Sequence, residues 1–287
     1  MTERYLSSLL VFACLLAIAT GVPARQLSTD AIDLLLDRSG VEHILESLPL
    51  QVDEGLVAVI AEDPEGTALL ADSVQTLRES ATTIFAPGQL TPVIRQVLVR
   101  QMNADQVSEV IDWLESPLGA RLTELENATA SPEFPQQLEA YLATFPDNQP
   151  TTERLELLRE LDQAANITES GIEVVLHMQL ALVVAVVETL PEQQRPSVTE
   201  LLRRLESERP SIEQTIKQMS LYSLLYTYRE VGDADLRRYI QFLESRTGKV
   251  YQSSIIEGLD LALMQAVRRW GSDVGKILQA ATQRKRT

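Results

Sequence analysis

Two histidines occur in the chain, His43 and His177, and each has a carboxylate one helical turn away: Glu46 three residues on, Glu173 four residues back. Imidazole and carboxylate at that spacing share one face of a helix, so each pair offers two of the donors that a zinc site needs. The site is complete only if the two helices meet. A second group able to do chemistry is formed by the paired acids Glu124 with Glu126 and Asp233 with Asp235, which would serve as general acid and base of a carboxylate-dependent hydrolase. Neither grouping is specific. The chain holds 41 Asp and Glu residues, so carboxylates meet by number alone, and helix faces, caps and first turns account for them. No Gly-x-Ser-x-Gly elbow, His-Glu-x-x-His pair, Cys-x-x-Cys or glycine-rich phosphate loop occurs, and Gly275-Lys276 lacks the residues that would make it one. The sequence therefore assigns no catalytic residue, no metal and no cofactor.

The 25 Lys and Arg against 41 Asp and Glu leave a formal charge of −16, which argues against a nucleic-acid partner, since phosphates require a basic face. A 45% share of hydrophobic residues excludes a disordered acidic tail, because there is enough apolar surface to offset the entropy of ordering. Aromatics at 5%, with 12 Gly and 13 Pro, disfavour sandwiches and barrels.

Residues 1–24 have the pattern of a cleaved secretory leader. Arg4 gives a short positive region and Leu6 to Ala19 is almost unbroken apolar sequence, too short to span a bilayer. Val22 and Ala24 place small residues at the −3 and −1 positions, so cleavage is expected after Ala24. The mature chain would then have no transmembrane span and would lie in the periplasm or outside the cell. The single cysteine, Cys14, falls inside the leader, so the mature chain would need neither disulfide nor thiolate.

The remainder carries a 3.6-residue apolar period throughout, which predicts an all-α fold. Ser28-Thr29-Asp30 caps a helix bearing Ile32, Leu35 and Leu36, and Gly40 stops it. Pro49 is expected to kink the next helix, and Asp63-Pro64 to open another through Leu69, Leu70, Val74 and Leu77. Pro146-Asp147-Asn148-Gln149-Pro150 is a polar, proline-flanked break, after which the pattern restarts. Thr151-Thr152-Glu153 matches Ser28-Thr29-Asp30, and Gly171-Ile172-Glu173 matches Gly40-Val41-Glu42. Ile111, Trp113, Leu114, Glu115, Ser116 and Gly119 line up without a gap with Ile240, Phe242, Leu243, Glu244, Ser245 and Gly248. Anchors in the same order imply a tandem duplication, giving bundle-like units over residues 27–147 and 150–272 and a basic tail over 273–287.

The late motif has a physical reading. Trp113 closes an amphipathic helix, Ser116 caps the next and Pro117 fits its first turn. Gly119, costly inside a helix by about 1 kcal/mol relative to alanine, predicts close approach of a neighbouring backbone. In the second copy Ser245 and Gly248 remain, Arg246 replaces the proline, and Ser245 or Thr247 is the expected cap. Gly40-Val41-Glu42-His43-Ile44-Leu45 and Trp113-Leu114-Glu115-Ser116-Pro117-Leu118-Gly119-Ala120-Arg121-Leu122 resemble the domain of unknown function 2059 family. The resemblance covers residues 28–145 well and 151–270 loosely, with Leu114 standing where the family has a second aromatic. It implies an exported bacterial helical domain and brings no catalytic residues.

Two features point to binding. The helix from Ile172 to Leu190 is apolar all round in its middle, as expected of a buried central helix. Its Leu176, Leu180, Val183, Val184 and Val187 would alternatively wall a groove for a lipid or another apolar ligand. The basic tail, Arg284-Lys285-Arg286, falls short of the usual cluster that tethers a chain to anionic lipid. These observations favour an exported, non-enzymatic interaction or accessory module with a protein partner or apolar ligand in the cell envelope.

Overall fold

A computed structural model of the chain describes residues 27–62, 74–145, 149–188, 195 and 197–284. The leader, the Asp63-Pro64 start with Leu69 and Leu70, most of the 146–150 break and the last three residues of the tail lie outside them. Every regular element among the described residues is helical, and no helix there is long and apolar enough to cross a membrane. In chain order they are α1 (Thr29–Arg38), α2 (Val41–Glu62), α3 (Val74–Ile84), α4 (Pro87–Gln101), α5 (Ala104–Leu114), α6 (Pro117–Asn127) and α7 (Phe134–Leu142) before the break. After it come α8 (Thr152–Ala165), α9 (Ile167–Glu188), α10 (Val198–Thr227), α11 (Asp233–Glu244) and α12 (Arg246–Arg284).

The helix starts follow from side chains that satisfy otherwise unpaired amides. The Ser28 hydroxyl accepts from the Ala31 N–H at 3.1 Å and Thr151 from Arg154 at 3.2 Å. Asn103 and Gln106 form a reciprocal capping box at the start of α5, each bond 3.0 Å. Ser116 accepts from Gly119 at 3.0 Å and Ser245 from Gly248 at 2.9 Å, so Ser245 is the cap. Thr247 has a different task, donating to Glu109 Oε2 on α5 at 2.6 Å.

α2 continues through Pro49, because a proline removes one main-chain bond while the turns on either side persist. One local expectation changes. Gly171 lies inside α9. The left-handed residue that answers Gly40 (φ 73°) is Asn166 (φ 53°), one of the few other residues to tolerate that conformation. The close approach at Gly119 is to the last turn of the preceding helix: a Cβ there would overlap the Trp113 carbonyl oxygen, and one on Gly248 would overlap that of Phe242.

The buried side chains form two clusters, and each draws on both sides of the midpoint break. Ile32, Leu35 and Leu36 of α1 pack with Ile94 and Leu98 of α4 and Val107 and Val110 of α5, and α12 completes this cluster with Tyr251, Ile255, Ala262, Ala266 and Val267. The other holds Leu157, Leu158 and Leu161 of α8 with Leu224, Leu236, Ile240 and Leu243, and α6 enters it through Leu122. Leu122 and Tyr251 each stand three residues beyond their motif glycine. Each late helix thus leaves its own half and buries a side chain in the other. Between the clusters, Trp113 and Phe242 stack face to face, with ring centroids 4.5 Å apart and planes within 7°. Both rings pack against both clusters.

Polar contacts fix α12 in place. Ser254, fully buried, donates to Gln101 Oε1 at 2.9 Å, Ser80 donates to Asp273 Oδ2 at 2.7 Å, and the Trp270 indole donates to the Leu77 carbonyl at 3.2 Å.

Candidate functional site

The acids singled out from the sequence separate on folding. Glu124 is exposed and Asp233 pairs with Arg154 at 2.6 Å, while Asp235 lies 3.5 Å from Arg238 on the surface of α11. Glu126 alone turns toward the interior. It stands on the last turn of α6, whose start is set by the Ser116 cap and whose Leu122 is drawn into the second cluster. That placement brings its carboxyl against α10 and α11.

The Tyr228 hydroxyl donates to Glu126 Oε1 at 2.6 Å, and Tyr239 lines the same cleft beside it. Tyr228 is buried and Glu126 is half-buried at the edge of the cleft. Burial pushes the Glu126 carboxyl above the ordinary carboxylate range, and the neighbouring phenols only partly oppose it. Burial, then the Glu126 charge, pushes both phenols well above the ordinary tyrosine value. They are therefore protonated donors at any ordinary pH, not nucleophiles.

The carboxyl borders a cleft of about 460 Å³ between the end of α6, α7 and α10. Phe134, Tyr228 and Tyr239 give it aromatic walls, and Thr227 and Gln252 add polar edges. Among the described residues that line it, Glu126 is the one charged side chain. The aromatic walls are themselves held: Tyr226 meets Phe134 edge-on at 5.6 Å, and Trp113 lies parallel to Tyr239 at 6.1 Å. Gln252 donates to the Ala165 carbonyl at 3.1 Å, which fastens α12 to the end of α8 at the rim.

Two larger clefts carry less chemistry. One of about 750 Å³ lies between α8 and α10, where Asp162 is occupied in accepting from the Thr168 amide and hydroxyl, both at 2.9 Å. Another of about 730 Å³, between α2 and α3, is bridged by the Arg78–Asp53 ion pair. Leu176, Leu180, Val183, Val184 and Val187 line none of these three. They sit half-buried on α9, which lies between α10 and α12, with Ala181 reaching the first cluster.

The histidines are kept apart from each other's donors. His43 is exposed with Glu46 at 3.9 Å, and His177 meets Asp260 of α12 at 3.0 Å with Glu173 at 3.8 Å. Arg209 also claims Glu173, at 3.0 Å. Among the described residues no cluster of three or more His, Cys, Asp or Glu is arranged to hold a metal ion. The motif residues Trp113, Ser116, Pro117, Gly119, Phe242, Ser245 and Gly248 shape the α5–α6 and α11–α12 corners, and of these Trp113 supports the cleft through Tyr239.

In the sequence Glu126 stands out only as one of many acids that helix faces and caps account for, and Tyr228 and Tyr239 are missed. A signal was present, since five of the seven tyrosines fall between residues 222 and 251 in a chain poor in aromatics. Compared with known proteins, the chain matches no family model, no curated protein and no solved structure.

Proposed function

We propose that this is an exported accessory module of the cell envelope, most naturally periplasmic, built from two copies of one helical unit and acting by binding rather than by catalysis. The leader-like residues 1–24 support export. Duplication is supported by the equal geometry of the two corners. Ser116 and Ser245 cap alike, Gly119 and Gly248 meet equivalent carbonyls of Trp113 and Phe242, and the rings of those two residues face each other, as residues on a two-fold axis do. The resemblance of the late motif to the domain of unknown function 2059 family points the same way.

The observation that carries the binding reading is the Glu126 cleft. Its polar groups include one acid, two phenols that hold their protons and the side chains of Thr227 and Gln252, a set suited to gripping a ligand by hydrogen bonds and charge. Native mass spectrometry of the full gene product, purified gently from the envelope fraction of its own host, tests both parts. The expected spectrum shows a chain beginning after Ala24 with a small adduct, released on denaturation and absent from the Glu126→Gln variant. A retained leader would overturn export, and a bare wild-type chain would overturn the binding reading.

A further inference from the structure

We infer that the Glu126 cleft takes a small organic cation, an ammonium group carried on an apolar body. This rests on the binding reading above and goes further by naming the ligand's chemistry. Three observations converge on it. First, Glu126 is the one charged side chain lining the cleft among the described residues, so its ionised carboxyl has no cationic side chain there to pair with and can pair with a ligand's cation. Such a pair favours the charged carboxylate over the protonated form that burial favours. Secondly, the cleft that the acid borders is also lined by the rings of Phe134, Tyr228 and Tyr239. Aromatic faces attract cations, most strongly where water is excluded, and an acid among aromatic rings is the usual surrounding of a bound ammonium. Thirdly, the formal charge of −16 gives the whole molecule a field that draws cations and repels anions.

The same features exclude other occupants. A carboxylate or phosphate ligand would meet Glu126 with nothing to neutralise either charge. A divalent metal would find a single carboxylate, the other polar side chains of the lining being neutral phenols, hydroxyls and an amide. The volume of about 460 Å³ suits a compact organic molecule rather than a peptide. The titratable groups near the Glu126 carboxyl are Tyr228 at the end of α10, Tyr239 from α11 and Tyr251 from α12, which feels the Glu126 charge. All three keep their protons, so Glu126 itself governs how binding varies with pH. Protonating it removes the charge the ammonium needs.

Isothermal titration of the full mature chain with choline, with hexyltrimethylammonium and with 3,3-dimethylbutan-1-ol, the uncharged isostere of choline, tests the assignment. The expected result at pH 8 is saturable one-to-one binding of the ammonium compounds, at least about tenfold tighter than the isostere. Binding should weaken as pH falls toward 4.5. Glu126→Gln should reduce affinity at least about tenfold, and Phe134→Leu, at a half-buried wall position, should weaken it while circular dichroism shows an intact fold. Equal binding of the isostere, unaltered binding by Glu126→Gln, or no saturable binding of either ammonium would overturn the cation assignment. If these probes fail while the wild-type chain still carries an adduct that Glu126→Gln lacks, the cleft is a binding site for another chemistry, and only this inference falls.

Discussion

A carboxyl that burial pushes up, as it does that of Glu126, disfavours its own ionisation, so the folded chain holds a proton there more tightly than the unfolded one. The sign follows directly. Because the folded value lies above the ordinary one of 4.5, the protonated acid favours folding at low pH, and that contribution is lost as pH rises through the folded value. Glu126→Gln retains an acceptor for Tyr228 and removes the charge. Thermal denaturation should therefore give a higher melting temperature for Glu126→Gln than for the wild type at pH 8, with the gap closing by pH 4. A lower melting temperature at pH 8 would mean that the charge itself is stabilising, through a partner other than the phenols. Keeping a charge that weakens the fold is characteristic of sites retained for function.

The corners α5–α6 and α11–α12 are where the sequence was most legible, for reasons that are local. A serine hydroxyl in reach of the third amide onward, and a glycine where a Cβ would strike a carbonyl, are decided within about six residues of chain. Such features can be read without knowing the fold. Gly171 misled because it sits next to a matching Ile-Glu pair, whereas the junction is turned by Asn166, which carries the left-handed conformation a few residues earlier. Ser116→Ala and Ser245→Ala should each cost about 1 kcal/mol in chemical denaturation, being equivalent caps. Gly248→Ala should cost more, about 2 kcal/mol or above, since the Phe242 carbonyl belongs to a helix end that cannot move aside. If Gly248→Ala proved harmless, the corner would be far softer than its hydrogen bonds imply.

Which helices share a core was not legible, because apolar periodicity tells which face is buried and not against what. Leu122 and Tyr251 look like ordinary members of their own halves, yet each is buried in the other. The proline-flanked break near the midpoint therefore divides the chain in sequence without dividing its core. Each half lacks part of its apolar interior when alone. For residues 27–147 the missing part is large: Tyr251, Ile255, Ala262, Ala266 and Val267 lie along α12 beside α4, and among the described residues none before the break takes their place. Fully burying a large apolar side chain contributes about 1.5–3 kcal/mol, and a domain's net stability is only about 5–15 kcal/mol. Losing that face should leave the fragment below the threshold for cooperative folding. Residues 27–147 alone are thus expected to show helical far-ultraviolet circular dichroism without a sharp thermal transition. Adding residues 150–287 should restore one, and Ile255→Ala in the added fragment should weaken the restored complex by about 2–4 kcal/mol. A sharp transition in the isolated first fragment, unaffected by the second, would show that α12 only rests on a core already complete without it.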